Sequence, residues 1–223
     1  MKRKDFIRKG TIGLGTIIAV PTILEGCKKN DPTVCQSSPE ETAGPFPIKT
    51  PADLINSNIV GDRTGIPLLI NITVEDVSAS CSALAGVYVD VWQCDAKGNY
   101  SEYSGQLDGD FTGENFLRGR QMTDESGKVS FVSIYPGWYP GRAPHIHLEV
   151  LKADGTSILI SQIAFPEDIS KTVYSHTNYN GDFDTKNKKD GIFKDSLALN
   201  MAQSVSGNNT DGYVLNKTIK VNG

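Results

Sequence analysis

YPGWYPGRAPHIHLEV, residues 135–150, gathers two tyrosines, one arginine and two of the chain's three histidines. His145 and His147 stand two apart and open the apolar run Leu148, Val150, Leu151. That spacing predicts a strand, on which residues i and i+2 face the same way. Both imidazoles then leave one face close enough to share a cation, and the preceding Pro/Gly turn can aim Tyr139 at the same point. An H-x-H pair alone also fits a plain polar strand face. The company decides between the two: imidazole gives neutral nitrogen donors, and tyrosine phenolate is a hard oxygen anion suited to ferric iron. No Cys-x-x-Cys, and no Asp or Glu at the spacing of a zinc or magnesium site, stands beside the histidines.

Outward from this stretch, strand signals dominate. Residues 68–77, 87–92, 128–134, 145–151 and 158–165 are short, rich in Val and Ile, and partly alternate apolar with polar. Turn residues separate them: Asp95 to Gly98, Glu125 to Gly127, and Ala153 to Gly155, the last a hairpin signal. Strands so spaced predict an all-β fold, a β-sandwich with short helices at 167–174 and 195–203. Residues 102–116 form a long irregular stretch, the kind of loop that often carries function. The Lys/Asp-rich patch 182–195 is read as a solvated loop and helix start.

The chain has 223 residues and a net charge of −4. No basic stripe follows residue 9, so a nucleic-acid partner has no electrostatic support. Lys2, Arg3, Lys4, Arg8 and Lys9 precede an apolar run over 10–24. Residues 1–26 are therefore read as an export signal, similar to a twin-arginine signal with one arginine replaced by lysine. Leu24-Glu25-Gly26-Cys27 resembles a bacterial lipobox, which would make Cys27 a lipidated residue and the only tie to a membrane, at the cell envelope. Residues 27–41 read as a polar tether, and 42–223, about 180 residues, as one domain. Among the remaining cysteines, geometry disfavours Cys81 with Cys94, because an extended strand from Val87 to Cys94 spans roughly 23 Å. The pairing preferred is Cys35 with Cys94.

Tyr139, Arg142, His145 and His147, as P-G-x-Y-P-x-R-x-x-H-I-H, resemble the signature of the intradiol ring-cleavage catechol dioxygenases, particularly their secreted members. Thr42-Ala43-Gly44-Pro45-Phe46, the segment GVYVDVWQCDAKGNY at 86–100, Phe116 to Gly119, and Gln162 before Phe165-Pro166 are similar to further family motifs in the same order. The resemblance implies one non-haem ferric iron held by Tyr100, Tyr139, His145 and His147. It also implies a catechol-type substrate, dioxygen, and a cis,cis-muconate-type dicarboxylate product. Tyr139 would take a substrate proton, Arg142 would stabilise negative charge on the ring, and Gln162 would support it by hydrogen bonding. Thr42, Gly44 and Pro45 would line the pocket, and the 102–116 loop its mouth. Tyr103 is the rival to Tyr100 in the same loop; Tyr88 and Tyr135 are read as packing residues. Two alternatives stand beside this: a non-catalytic β-sandwich binding module, and a ferrous site with two histidines and Glu149 as the carboxylate.

Overall fold

The computed structural model describes residues 35–223, so the segment read as an export signal, Cys27 and the first part of the segment read as a tether lie outside the described residues. Nine strands and two short α-helices follow in the order β1 (Pro67–Asp76), β2 (Ser82–Ala83), β3 (Tyr88–Trp92), β4 (Arg118–Met122), β5 (Lys128–Ile134), β6 (His145–Leu151), β7 (Ser157–Ala164), α1 (Glu167–Tyr174), α2 (Leu197–Asn200), β8 (Ser204–Asn208) and β9 (Gly212–Val221). One sheet runs β2-β1-β9-β8 with β5 also paired to β1; the other runs β4-β3-β6-β7. No described helix is long and apolar enough to cross a membrane.

Alternation builds the sandwich. On β1, Leu68, Ile70, Ile72 and Val74 turn inward, while Leu69, Asn71 and Thr73 turn outward. The inward set packs with Phe131 of β5, Leu215 and Ile219 of β9, and Val89, Val91, Ile146 and Leu148 from the other sheet. Each such side chain taken from water contributes about 1.5–3 kcal/mol. The opposite faces of β3 and β6 carry Trp92, His145 and His147, which are buried by loops and not by the other sheet. A site on a two-sheet scaffold is thereby placed on rigid strands.

Three readings of the sequence change here. Cys35 bonds to Cys81, with Cα atoms 5.7 Å apart, and Cys94 is a free, buried thiol. The preferred Cys35–Cys94 pairing is therefore wrong. Cys94 sits inside, against Trp92 and Tyr100, whereas Cys81 lies in the turn after β1, where the incoming chain passes. That chain is closely held. Ser38 N–H donates to the Lys220 carbonyl, Glu41 N–H to the Ile160 carbonyl, and Ser161 Oγ to the Pro39 carbonyl. Residues 35–41 of the segment read as tether thus run from one sheet to the other and lead directly into Thr42. The helix expected over 195–203 is a single turn. The Lys217 ammonium binds the carbonyls of Leu199 and Met201, and Met201 bridges to Ala164, drawing the chain into extended pairing.

Candidate metal centre

Register brings the site's core together. Trp92 on β3 lies opposite His147 on β6, and His147 opposite Gln162 on β7. The Trp92 ring stacks on His147 with centroids 5.0 Å apart and planes at 4°. His145 Nδ1 lies 2.6 Å from the Ala143 carbonyl, so it carries the proton and Nε2 presents a lone pair. His145 Nε2 and His147 Nε2 are 3.1 Å apart. Both rings are almost fully buried. Burial, then the Arg142 charge, pushes the His145 pKa down to about 3. Burial, His145 and Arg142 push His147 well below its ordinary value. Both imidazoles are therefore in the neutral form that binds a metal.

Tyr100 reaches them from the loop after β3. Asp95 Oδ1 accepts the backbone amides of Lys97 and Asn99, closing a turn, and Gly98 at φ +92° passes the Trp138 carbonyl where a Cβ would come within 2.5 Å. The Tyr100 ring is wholly buried, 4.9 Å from Phe46, 5.9 Å from Tyr139 and 6.2 Å from His147 between centroids. Its hydroxyl has no hydrogen-bond partner. Tyr139 completes the group, 5.6 Å from His145 between centroids, and remains half-buried. Burial raises both phenol pKa values, so without a cation both are neutral. Tyr103, in contrast, points away: its hydroxyl donates to the Pro47 carbonyl at 2.8 Å, with Lys49 over its ring.

Arg142 closes one side. Its Nη1 lies 3.4 Å from Tyr139 Oη and 3.5 Å from His145 Nε2, and Nη2 donates to Gln162 Oε1 at 2.6 Å. Gln162 Nε2 donates in turn to the Thr42 carbonyl at 2.8 Å. The segment 42–46 crosses the site: Gly44, at φ +69°, passes His147 Cε1 so closely that a Cβ would stand 2.9 Å away, and Phe46 covers Tyr100. Thr42 and Pro45 are on the exposed side of this segment. Glu149 lies across from Asp90, where its charge acts on Asp90 and Arg120. Among the described residues no three His, Cys, Asp or Glu side chains gather to hold a metal, so the converging donors are two imidazoles and two phenols. The Cys94 thiol is nearby, but burial pushes its pKa up and keeps it protonated.

Residues given no role from sequence complete the surroundings. Arg118, fully buried, donates to Ser101 Oγ, the Ser101 carbonyl and the Phe46 carbonyl, joining the Tyr100 loop to the covering segment. Asp190, read as part of a solvated patch, is buried against Arg142. The apolar residues Phe183, Ile192 and Phe193 within that patch were the available signal that it packs.

The imidazoles make the metal-free protein acid-sensitive. Their folded pKa values lie below the unfolded value of about 6.5, so as pH falls through 6.5 the unfolded chain takes up protons that the folded chain does not. Stability is insensitive to these groups above about pH 7 and falls below it, by at most about 1.4 kcal/mol per pH unit for each ring. Thermal unfolding of chelator-treated protein should show a midpoint that falls steadily from about pH 7 toward pH 4.5, more weakly in His145→Gln. Equal slopes in the two proteins would contradict the assignment.

Comparison with known proteins bears on the family and the fold. Residues 46–180 match a family model described as "Dioxygenase". The structure of an intradiol ring-cleavage dioxygenase from Tetranychus urticae superposes with a TM-score of 0.74 at 33% identity, over 84% of this chain and 95% of that one. Among curated proteins, the protocatechuate 3,4-dioxygenase beta chain of Burkholderia cepacia is 37% identical over 91 residues, 36% of this chain and 37% of that protein. The hydroxyquinol 1,2-dioxygenase of Rhizobium sp. (strain MTP-10005) is 26% identical over 180 residues, 72% of this chain and 58% of that one. The chain thus spans less than two thirds of the length of either curated relative.

Proposed function

The chain belongs to the intradiol ring-cleavage dioxygenase family, and we propose that it holds one ferric iron and uses dioxygen to cleave a catechol-type aromatic diol between its two hydroxyl-bearing carbons. The product would be a cis,cis-muconate-type dicarboxylate. The observation that carries this reading is the Tyr100 hydroxyl, wholly buried and unpartnered at a point where two imidazole Nε2 atoms and a second phenol converge. An unsatisfied buried hydroxyl costs about 1–3 kcal/mol. A cation there relieves it.

Tyr100, Tyr139, His145 and His147 fit ferric iron in particular. Two phenolates and two neutral rings offset two of its three charges, and substrate oxygen or hydroxide can offset the rest, so burial is not prohibitive. When bound, the iron would withdraw electron density from the diol and ready its ring for dioxygen. The chain's own groups do the remainder. Tyr139 Oη, half-buried at the open side, can accept a substrate proton. Arg142 Nη1, directed into the same space, can stabilise negative charge that develops on the ring oxygens. Gln162 keeps that guanidinium turned inward, and Ala43, Phe46 and Ile48 supply an apolar wall that excludes water.

Purified protein supplied with ferric iron should be red-brown, with about one iron per chain, from tyrosinate charge transfer. It should also consume oxygen with catechol and yield a product with the absorbance of a muconate. A colourless protein that retains zinc would refute the metal assignment. Catechol binding without oxygen uptake would favour a binding module instead.

We also propose export and anchoring through a lipid on Cys27. Cys27→Ser should move the protein from the membrane to the soluble fraction of cells; an unchanged distribution would dismiss the anchor.

A further inference from the structure

Arginine 142 offers five N–H donors in a rigid plane, and their partners dictate which edge of it faces the site. Nε donates to Asp190 Oδ2 at 2.8 Å and Nη2 to Gln162 Oε1 at 2.6 Å, leaving Nη1 toward Tyr139 Oη and His145 Nε2. Asp190 is itself fixed. Its side chain has no exposure to solvent. Its Oδ2 also accepts the Ala143 amide at 2.8 Å, and Oδ1 accepts the Ile192 amide at 2.9 Å. The carboxylate therefore ties three points together: the guanidinium, the backbone leading into β6, and its own loop. Phe193 lies against the same guanidinium, 5.6 Å from its ring centre.

A second carboxylate from this loop grips the same turn only through the backbone, where Asp184 accepts the Gly141 amide at 3.3 Å. Both aspartates lie beyond residue 180, outside the segment that matches the family model. The clasp is thus a contribution of this chain's C-terminal part to a site whose other groups lie within or before the matched segment.

We propose that Asp190 is a positioning residue for Arg142, holding the guanidinium so that Nη1 faces the reacting diol and balancing its charge beside the cation site. The idea rests on the reading of Arg142 given above. It also has a consequence that does not depend on turnover: the Arg142 Nε–H, bonded to a solvent-excluded carboxylate, should exchange slowly with water.

The test compares wild type, Asp190→Ala, Asp190→Asn and Asp184→Ala. In iron-free protein, the Arg142 Nε–H resonance, assigned by its loss in Arg142→Lys, should exchange at least about tenfold faster in Asp190→Ala than in wild type. It should be little changed in Asp184→Ala. In iron-loaded protein, kcat should fall roughly 10- to 100-fold in Asp190→Ala, the scale of a displaced catalytic group, with KM for catechol nearly unchanged. Asp190→Asn, which keeps an acceptor oxygen for Nε, should lie between. Unaltered exchange in Asp190→Ala overturns the proposal, as does a kcat within about twofold of wild type. So does an equal loss in Asp184→Ala, since that would mean only the turn's backbone matters. The exchange comparison decides the hold on Arg142 whether or not the wild type consumes oxygen, so failure of the dioxygenase reading is separable.

Discussion

Tyr100→Phe is expected to leave purified protein with less than about a tenth of the wild-type iron, and to make the metal-free form more stable by about 1 kcal/mol. Both effects come from one oxygen. Tyr100 is enclosed by Phe46, Trp92 and Cys94, and its hydroxyl has no partner. Phenylalanine keeps the ring and opens no cavity, so its packing is retained while the uncompensated hydroxyl is removed. In the loaded protein the same change deletes an anionic donor that no other described side chain can replace, because Tyr103 is committed to the Pro47 carbonyl. Losing a partner of metal ligands already costs about 10- to 100-fold in affinity, and losing a ligand should cost more. Iron content by elemental analysis and thermal unfolding after chelation read the two effects. Tyr103→Phe is the control, expected to keep its iron and lose about 1 kcal/mol of stability with its hydrogen bond. Should Tyr103→Phe be the variant that loses iron, the assignment of Tyr100 fails. A residue that weakens the empty fold and is needed by the filled one marks a functional position in a sandwich that is otherwise locally consistent.

What the sequence disclosed, and what it did not, follows from the range of the interactions. Residues 128–134 and 145–151 form strands with the expected ends, because alternation there is local and one face is buried. β9 went unread although Tyr213, Leu215, Ile219 and Val221 alternate; Lys217, buried on the same face, interrupts the pattern because its ammonium is satisfied by two distant carbonyls. β4 reads Arg-Gly-Arg-Gln-Met, with no apolar alternation. Its arginines turn toward the site face, where Arg118 binds Ser101 and Arg120 pairs with Asp90. The histidines and Tyr139 were legible because sixteen consecutive residues carry them. Asp190 was not, since nothing near it in sequence says that an acidic residue in a lysine-rich loop will face Arg142, 48 positions earlier. The disulfide failed for the same reason: Cys35 and Cys81 meet only because the segment 35–41 is laid across both sheets.

Burial separates the two tyrosines, and with it their roles. Tyr100 has no exposure and is wedged under Phe46, so it can only stay. Tyr139 follows a Pro/Gly turn, is half-buried, and has its hydroxyl 3.4 Å from Arg142 Nη1, a contact that lowers the cost of its anionic form against the larger effect of burial. It is the phenol able to turn toward solvent and carry away a proton. Tyr139→Phe is therefore expected to retain most of its iron, because Tyr100, both histidines and solvent still serve the cation. Catechol association should be slower by roughly 10²-fold or more, the usual contribution of a positioned proton acceptor. Rapid anaerobic mixing with catechol would show this as slow growth of the catecholate absorption to nearly the wild-type amplitude. If the variant binds catechol as fast as wild type, Tyr139 Oη is not the acceptor. If instead it loses its iron as Tyr100→Phe does, the two phenols are equivalent ligands, and the difference in their burial has no bearing on the reaction.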